Sequence, residues 1–226
     1  MIDDPDRTAD RERMLKTIRD LFQLTAAETG LREPPPEVVE ALRRVPRHRF
    51  VPAHEQALAY ADMPLPIGMG QTISQPYIVA LMTALLGVGP GSRVLEVGTG
   101  CGYQTAVLAE LGAKVFSLEL MLPLAQDAAR RLAGLGYRDV QVRHGDGYGG
   151  WPEEAPFDGI LVAAGAPRVP MTLVRQLGPG ANLVIPVARG AGQVLRVLRR
   201  SDGDGADGGL HRRDVLPVAF VPLVRG

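Results

Sequence analysis

"VLEVGTGCGYQTAVL" (94–108) decides the fold. An apolar run, "VLEV", leads into a loop carrying Gly98, Gly100 and Gly102, and "YQTAVL" continues as a helical run. Strand, glycine loop and helix follow one another directly. Glycines let the backbone turn tightly and approach a ligand with no Cβ in the way. The helix start offers free N–H groups and the positive end of the dipole. Several nucleotide-binding families share this much.

The spacing narrows the choice. A dinucleotide fingerprint reads G-x-G-x-x-G, with a pyrophosphate on the helix start. Here the third glycine comes one residue early, and Glu96 precedes the first. A carboxylate repels a pyrophosphate but favours the ammonium and sulfonium of S-adenosylmethionine. A nicotinamide oxidoreductase is the remote alternative. Glu119 follows Gly102 by 17 residues and ends the next strand, where an acidic side chain takes ribose hydroxyls. "HGDG" (144–147) puts Asp146 after a third strand, near an adenine edge. Three acidic residues at three strand ends are expected to line one crevice.

Outward from this core, strands alternate with helices: "AKVFSLEL", "LPLAQDAARRLAGLG", "DVQVRHGD", "FDGILVAA", "PMTLVRQL", "GANLVIPVA" and "QVLRVLRR". That rhythm predicts an α/β fold, a Rossmann-like, mostly parallel sheet with helices on both faces. "HRRDVLPVAFVPLV" is one more strand, joined to its predecessor by a tip at 201–209, so the C-terminal pair is antiparallel. Upstream, Met14, Leu15, Ile18, Leu21, Phe22 and Leu24 suit an amphipathic helix stopping at Gly30, and "PPPEVVEALRRVP" suits a second that Pro46 closes. Residues 46–68 read as irregular. "PYIVALMTALL" reads as a buried helix. The whole is one domain: a helical cap and substrate loop (1–85), a cofactor-binding core (86–190) and C-terminal strands (191–226).

The 226 residues carry 25 basic and 25 acidic side chains, so a polyanion partner such as nucleic acid is not implied. Cys101 is the single cysteine, which excludes an internal disulfide. No apolar stretch reaches the ~18 residues of a membrane span, and the charged N-terminus shows no signal peptide. The expectation is a cytoplasmic monomer without membrane attachment. The four histidines lack metal-ligand spacing, so no metal is expected. Cys101 reads as a space-filler, Trp151 as a packing anchor, and the basic run "RRVPRHR" (43–49) as a solvated face.

"VPRHRFVP" (45–52), "GQTISQP" (70–76), "LEVGTGCGYQTAVLAEL" (95–111), "GDGYGGWPEEAPFDGILVAAGAP" (145–167), "QLGPGANLVIPV" (176–187) and "FVPL" (220–223) occur in this order. Together they resemble the protein-L-isoaspartate (D-aspartate) O-methyltransferase family over nearly the whole chain. The resemblance implies methyl transfer from S-adenosylmethionine, leaving S-adenosylhomocysteine, to the free α-carboxylate of L-isoaspartyl residues in damaged proteins and peptides. The methyl ester then closes to a succinimide and reopens partly to aspartate. Such a nucleophile is already an anion, so hydroxyls that orient it suffice. The resemblance makes Ser74 catalytic and Thr72 its assistant. It implies cofactor contacts from Gln71, Thr72, Ile73, Glu96, Gly98, Thr99, Gly100, Gly102, Glu119, Leu120, Gly145, Asp146 and Gly147. Substrate contacts fall to Ser74, Val221 and Leu223, with "FVPL" as an exposed edge for the peptide. Met69, Leu120 and Gly165 depart from the family pattern. Two other readings are a carboxyl methyltransferase of one dedicated peptide or metabolite, and a non-catalytic module that keeps the cofactor pocket.

Overall fold

The computed structural model describes residues 7–201 and 209–226. The tip expected at 201–209 lies, apart from its two end residues, outside the described residues. The chain opens with α1 (Thr8–Leu24), α2 (Ala26–Thr29) and α3 (Pro36–Arg44). Met14, Leu15, Ile18 and Phe22 form the buried stripe of α1, as their spacing predicts. The helix breaks at Thr25, so Gly30 stops α2 instead, in a left-handed conformation with φ 73°. Pro36 begins α3, and Val45 turns extended ahead of Pro46.

Single turns of 3₁₀ helix at Arg47–Phe50 and Ala53–Leu58 follow. Then comes a small hairpin of β1 (Leu65–Gly68) and β2 (Gln71–Ile73). Such short strands, with a proline and two glycines around them, show no alternation in the sequence. Its tip runs through Gly68, Met69 and Gly70, all at positive φ. The next helix, α4 (Pro76–Leu86), is buried almost all round and ends at left-handed Gly87.

The core alternates as the sequence predicts: β3 (Arg93–Val97), α5 (Tyr103–Glu110), β4 (Lys114–Glu119), α6 (Leu122–Gly134), β5 (Val140–His144), β6 (Phe157–Val162), α7 (Met171–Val174) and β7 (Leu177–Arg189). Two further strands, β8 (Gly192–Arg200) and β9 (Leu210–Val218), close the chain. The sheet order is β5-β4-β3-β6-β7-β8-β9. Pairs from β5 to β7 are parallel, and β8 and β9 are antiparallel additions. From β3 the chain moves outward to β5, then returns to β6 on the other side. That reversal makes a topological switch point, and a crevice opens at the carboxyl ends there.

The sheet divides the apolar interior. Val94, Val115 and Leu161 face the cluster built with α1, α3, α4 and α5, while Leu95, Val97, Phe116 and Leu118 face the other. On β3, then, Glu96 shares its face with Val94. Trp151 is a packing anchor, edge-on to Phe116 at 5.6 Å. Two expectations change. Arg47 and His48 are buried, at 0% and 5% exposure, so only Arg44 and Arg49 of "RRVPRHR" form the exposed part expected of the whole run. The last strand ends at Val218, and residues 220–223 make only an isolated bridge from Pro222 to Gly165. Among the described residues no helix is long and apolar enough to cross a membrane, and no group of three or more His, Cys, Asp or Glu is placed to hold a metal.

Candidate active site

A cavity of about 300 Å³ opens at the carboxyl ends of β3 and β4. Gly98, Thr99 and Gly100 form its floor, Glu119, Leu120 and Met121 one side, and Gly147 and Leu223 another. Gly98 adopts φ 95°, which only glycine takes without strain, and so turns the chain out of β3. Gly147 has a different reason: a Cβ there would lie 2.2 Å from Val97 Cγ1. Backbone therefore comes closer to this space than any side chain would permit.

Glu119 ends β4 with its carboxylate at the cavity wall. Its Oε2 accepts from Gly100 N at 2.8 Å and its Oε1 from Met121 N at 3.0 Å. Each oxygen keeps a lone pair for a ligand, which suits a vicinal diol. The polar floor, this acceptor pair and the apolar flanks of Leu120 and Met121 match an adenosyl group carrying an amino-acid tail. The residues present fit S-adenosylmethionine.

Glu96 lies elsewhere. Pleat alternation turns it away from the cavity and under α5, fully buried. Its Oε2 accepts from Thr105 Oγ1 at 2.5 Å and Ser117 Oγ at 2.6 Å, and Ser117 pairs with Thr99 Oγ1 at 2.6 Å. Its Oε1 has no partner among the described residues. Burial pushes the carboxyl up to about 7, against the pull of the two hydroxyls. It braces the glycine loop from beneath, through Ser117 and Thr99.

Gln71, Thr72, Ile73 and Ser74 reach the same cavity from the hairpin side. A second cavity, of about 450 Å³, lies against it and is lined by Pro64, Tyr77, Ile78, Leu216 and Phe220 among others. Thr72, Ser74, Ala163 and Val221 border both cavities. One buried group, Arg47, and one half-buried group, Asp62, hold this junction. Arg47 donates from Nη2 to the Ser74 carbonyl at 2.7 Å and from Nε to the Ala59 carbonyl at 2.7 Å. Asp62 accepts from Tyr77 N at 2.7 Å and Gln75 Nε2 at 3.0 Å, and burial raises its pKa. The backbone from the Ser74 carbonyl to Tyr77 is thereby fixed.

Of the expected site residues, Gln71, Thr72, Ile73, Ser74, Gly98, Thr99, Gly100, Glu119, Leu120, Gly147, Val221 and Leu223 border the cavity. Glu96, Gly102, Gly145 and Asp146 do not. Gly102 instead caps α5 and lets it approach α6, with Leu132 Cδ1 at 3.1 Å from where a Cβ would be. Asp146 turns its Oδ1 onto Tyr148 N at 2.8 Å and caps the turn that carries Gly147. Of the three acidic residues expected in one crevice, only Glu119 borders it. The "FVPL" edge is already engaged on one side: Gly165 N donates to Val221 O, and Leu223 N donates to Gly165 O, both at 2.8 Å. Cys101 borders the cavity as a buried thiol whose pKa burial raises. The sequence reading missed Arg47 and Asp62. Apolar residues on both sides of Arg47 (Val45, Pro46, Phe50 and Val51) were a usable signal for the first.

The chain is similar to known proteins over nearly its whole length. Residues 24–226 match the family model described as protein-L-isoaspartate(D-aspartate) O-methyltransferase. A relative from Syntrophobacter fumaroxidans, protein-L-isoaspartate O-methyltransferase 2, is 52% identical over 99% of this chain and 89% of its own. A protein-L-isoaspartate O-methyltransferase from Methylorubrum populi is 53% identical over 96% of each chain. Among solved structures, a protein-L-isoaspartate O-methyltransferase superposes with TM-score 0.82 at 27% identity, covering 96% of this chain and 66% of that one. A putative one from Plasmodium falciparum, in complex with S-adenosyl-L-homocysteine, gives 0.75 at 25% identity over 94% and 99%. The chain belongs to the protein-L-isoaspartate(D-aspartate) O-methyltransferase family.

Proposed function

We propose that the chain methylates the free α-carboxylate of L-isoaspartyl residues in damaged proteins and peptides, with the hydroxyls of Ser74 and Thr72 aiming that carboxylate. Bound in the first cavity, S-adenosylmethionine supplies a methyl already activated by its sulfonium. Glu119 and the glycine loop hold the nucleoside and the tail. The second cavity takes the peptide on either side of the damaged residue. Carrying this reading is the meeting of the two cavities at Thr72 and Ser74.

An isoaspartyl carboxylate is the nucleophile in its resting state, so no proton has to be removed. Positioning contributes several kcal/mol to such a displacement. A hydroxyl donates to one carboxylate oxygen without neutralising the other, which a lysine or an acid would not achieve as well. The junction carries no charged side chain at its shared border, in keeping with that role. Arg47 and Asp62, held behind it, keep the donors in place.

The test uses labelled S-adenosylmethionine and a matched peptide pair, one isoaspartyl and one aspartyl. A base-labile ester on the isoaspartyl peptide alone is the expected result. Labelling of neither peptide, with cofactor still bound, points to a dedicated carboxylate substrate instead.

A further inference from the structure

We propose that Gln193 is a positioning residue for the peptide groove: its side-chain amide clamps Phe220 and so holds the wall that the two cavities share. This rests on the methyl-transfer reading above for its kinetic consequence, though not for its structural one.

The sheet pairing of β8 with β9 ends at Gln193 and Val218. Beyond that rung the chain leaves the sheet and turns toward the site. Gln193 Oε1 accepts from Phe220 N at 2.8 Å, and its Nε2 donates to Phe220 O at 3.0 Å. A carboxamide carries the same donor and acceptor as a peptide group. The side chain thus supplies one more rung after the backbone pairing has stopped. Immediately past it, Gly165 exchanges hydrogen bonds with Val221 and Leu223.

Gly165 now has a reason. A Cβ there would lie 2.4 Å from Gln193 Nε2 and 2.8 Å from Oε1. Its absence lets the amide lie across the strand end and reach Phe220. The glycine at 165 and the glutamine clamp are one device. Phe220 and Val221 border the second cavity, and Val221 to Val224 border the first. The gap between this wall and Ser74 is therefore set by the clamp.

The experiment compares the native chain with Gln193→Ala, Gln193→Glu and Gly165→Ala, reading peptide KM, kcat and amide exchange across 219–224. Losing both bonds is expected to speed exchange there and raise peptide KM about tenfold, with kcat changed about twofold at most. Gly165→Ala, by pushing the amide aside, reproduces that KM, and Gly165→Ala with Gln193→Ala is no worse than either. In Gln193→Glu the carboxylate repels the Phe220 carbonyl, whereas the protonated acid restores both bonds. Its KM defect, taken against the native chain at each pH, persists from pH 8 to about 5 and shrinks below that, as pH approaches the ordinary glutamate value of about 4.3. A loss of folded fraction alone lowers apparent kcat and speeds exchange throughout the chain, but leaves peptide KM and its pH dependence unmoved. Unchanged exchange and unchanged KM in Gln193→Ala overturn the proposal. A native chain inactive on isoaspartyl peptide overturns the methyl-transfer reading instead, while faster exchange in Gln193→Ala still upholds the clamp.

Discussion

Arg47 Nη2 lies 2.7 Å from the carbonyl oxygen of Ser74, and the guanidinium that makes this bond has no exposed surface. Burying a cation costs several kcal/mol unless it is well paired. Arg47 makes no carboxylate ion pair among the described residues. It bonds two carbonyls and stacks 4.7 Å from the centroid of Tyr103, which itself borders the cofactor cavity. Burial lowers the pKa of the guanidinium and pushes the Tyr103 phenol up to about 12. A costly group at this position is explained if it aims the Ser74 peptide plane. Arg47→Lys keeps the charge but loses the fork, so it is expected to lower kcat about tenfold or more. S-adenosylhomocysteine affinity, measured by calorimetry, stays within about threefold of native.

Glu119 is expected to act on cofactor affinity in a different way. Its carboxylate already satisfies the N–H groups of Gly100 and Met121. Glu119→Ala strands both donors and removes the acceptors offered to a diol. Affinity for S-adenosylhomocysteine should fall about 10- to 100-fold, equivalent to roughly 1.4–2.7 kcal/mol. Glu119→Gln, which keeps one acceptor, should lie between that variant and the native chain.

Glu96 gives a pH signature. Its folded pKa, about 7, stands above the ordinary glutamate value of 4.5. The folded state therefore binds the proton more tightly than the unfolded one, and stability from this group falls as pH rises between these values. The gap corresponds to on the order of 3 kcal/mol. Glu96→Gln removes the titration while keeping an oxygen for Thr105 and Ser117. Urea melts at pH 5 and pH 8 should show the native chain losing stability relative to Glu96→Gln at the higher pH. A difference independent of pH would mean that Glu96 does not titrate in this range.

The parts of the molecule legible in the sequence are those with long periodic elements. The strand–glycine–helix unit at 94–108 fixes the switch point, and the apolar runs fix α4 and the parallel strands. Short elements were not legible. The hairpin of β1 and β2 spans only Leu65–Ile73 and interrupts its pattern with Pro66, Gly68 and Gly70. Side-chain direction was the other gap. Glu96 and Glu119 both belong to strands that meet the crevice, yet one pleat separates a buried brace from a cavity wall. Asp146 sits at the expected turn, but its Oδ1 caps Tyr148 N and the residue does not border the first cavity. The roles of Arg47, Asp62 and Gln193 depend on backbone groups far along the chain, and no local spacing announces such contacts.

The account stands most directly on Ser74, which borders both cavities. The decisive measurement is single-turnover methyl transfer from saturating S-adenosylmethionine to an isoaspartyl peptide, comparing the native chain with Ser74→Ala. The account predicts a rate about 100-fold lower, a loss of roughly 2.7 kcal/mol of transition-state positioning, with S-adenosylhomocysteine affinity within about threefold of native. An unchanged rate would show that the hydroxyl does not aim the carboxylate, and would contradict the mechanism proposed for this junction.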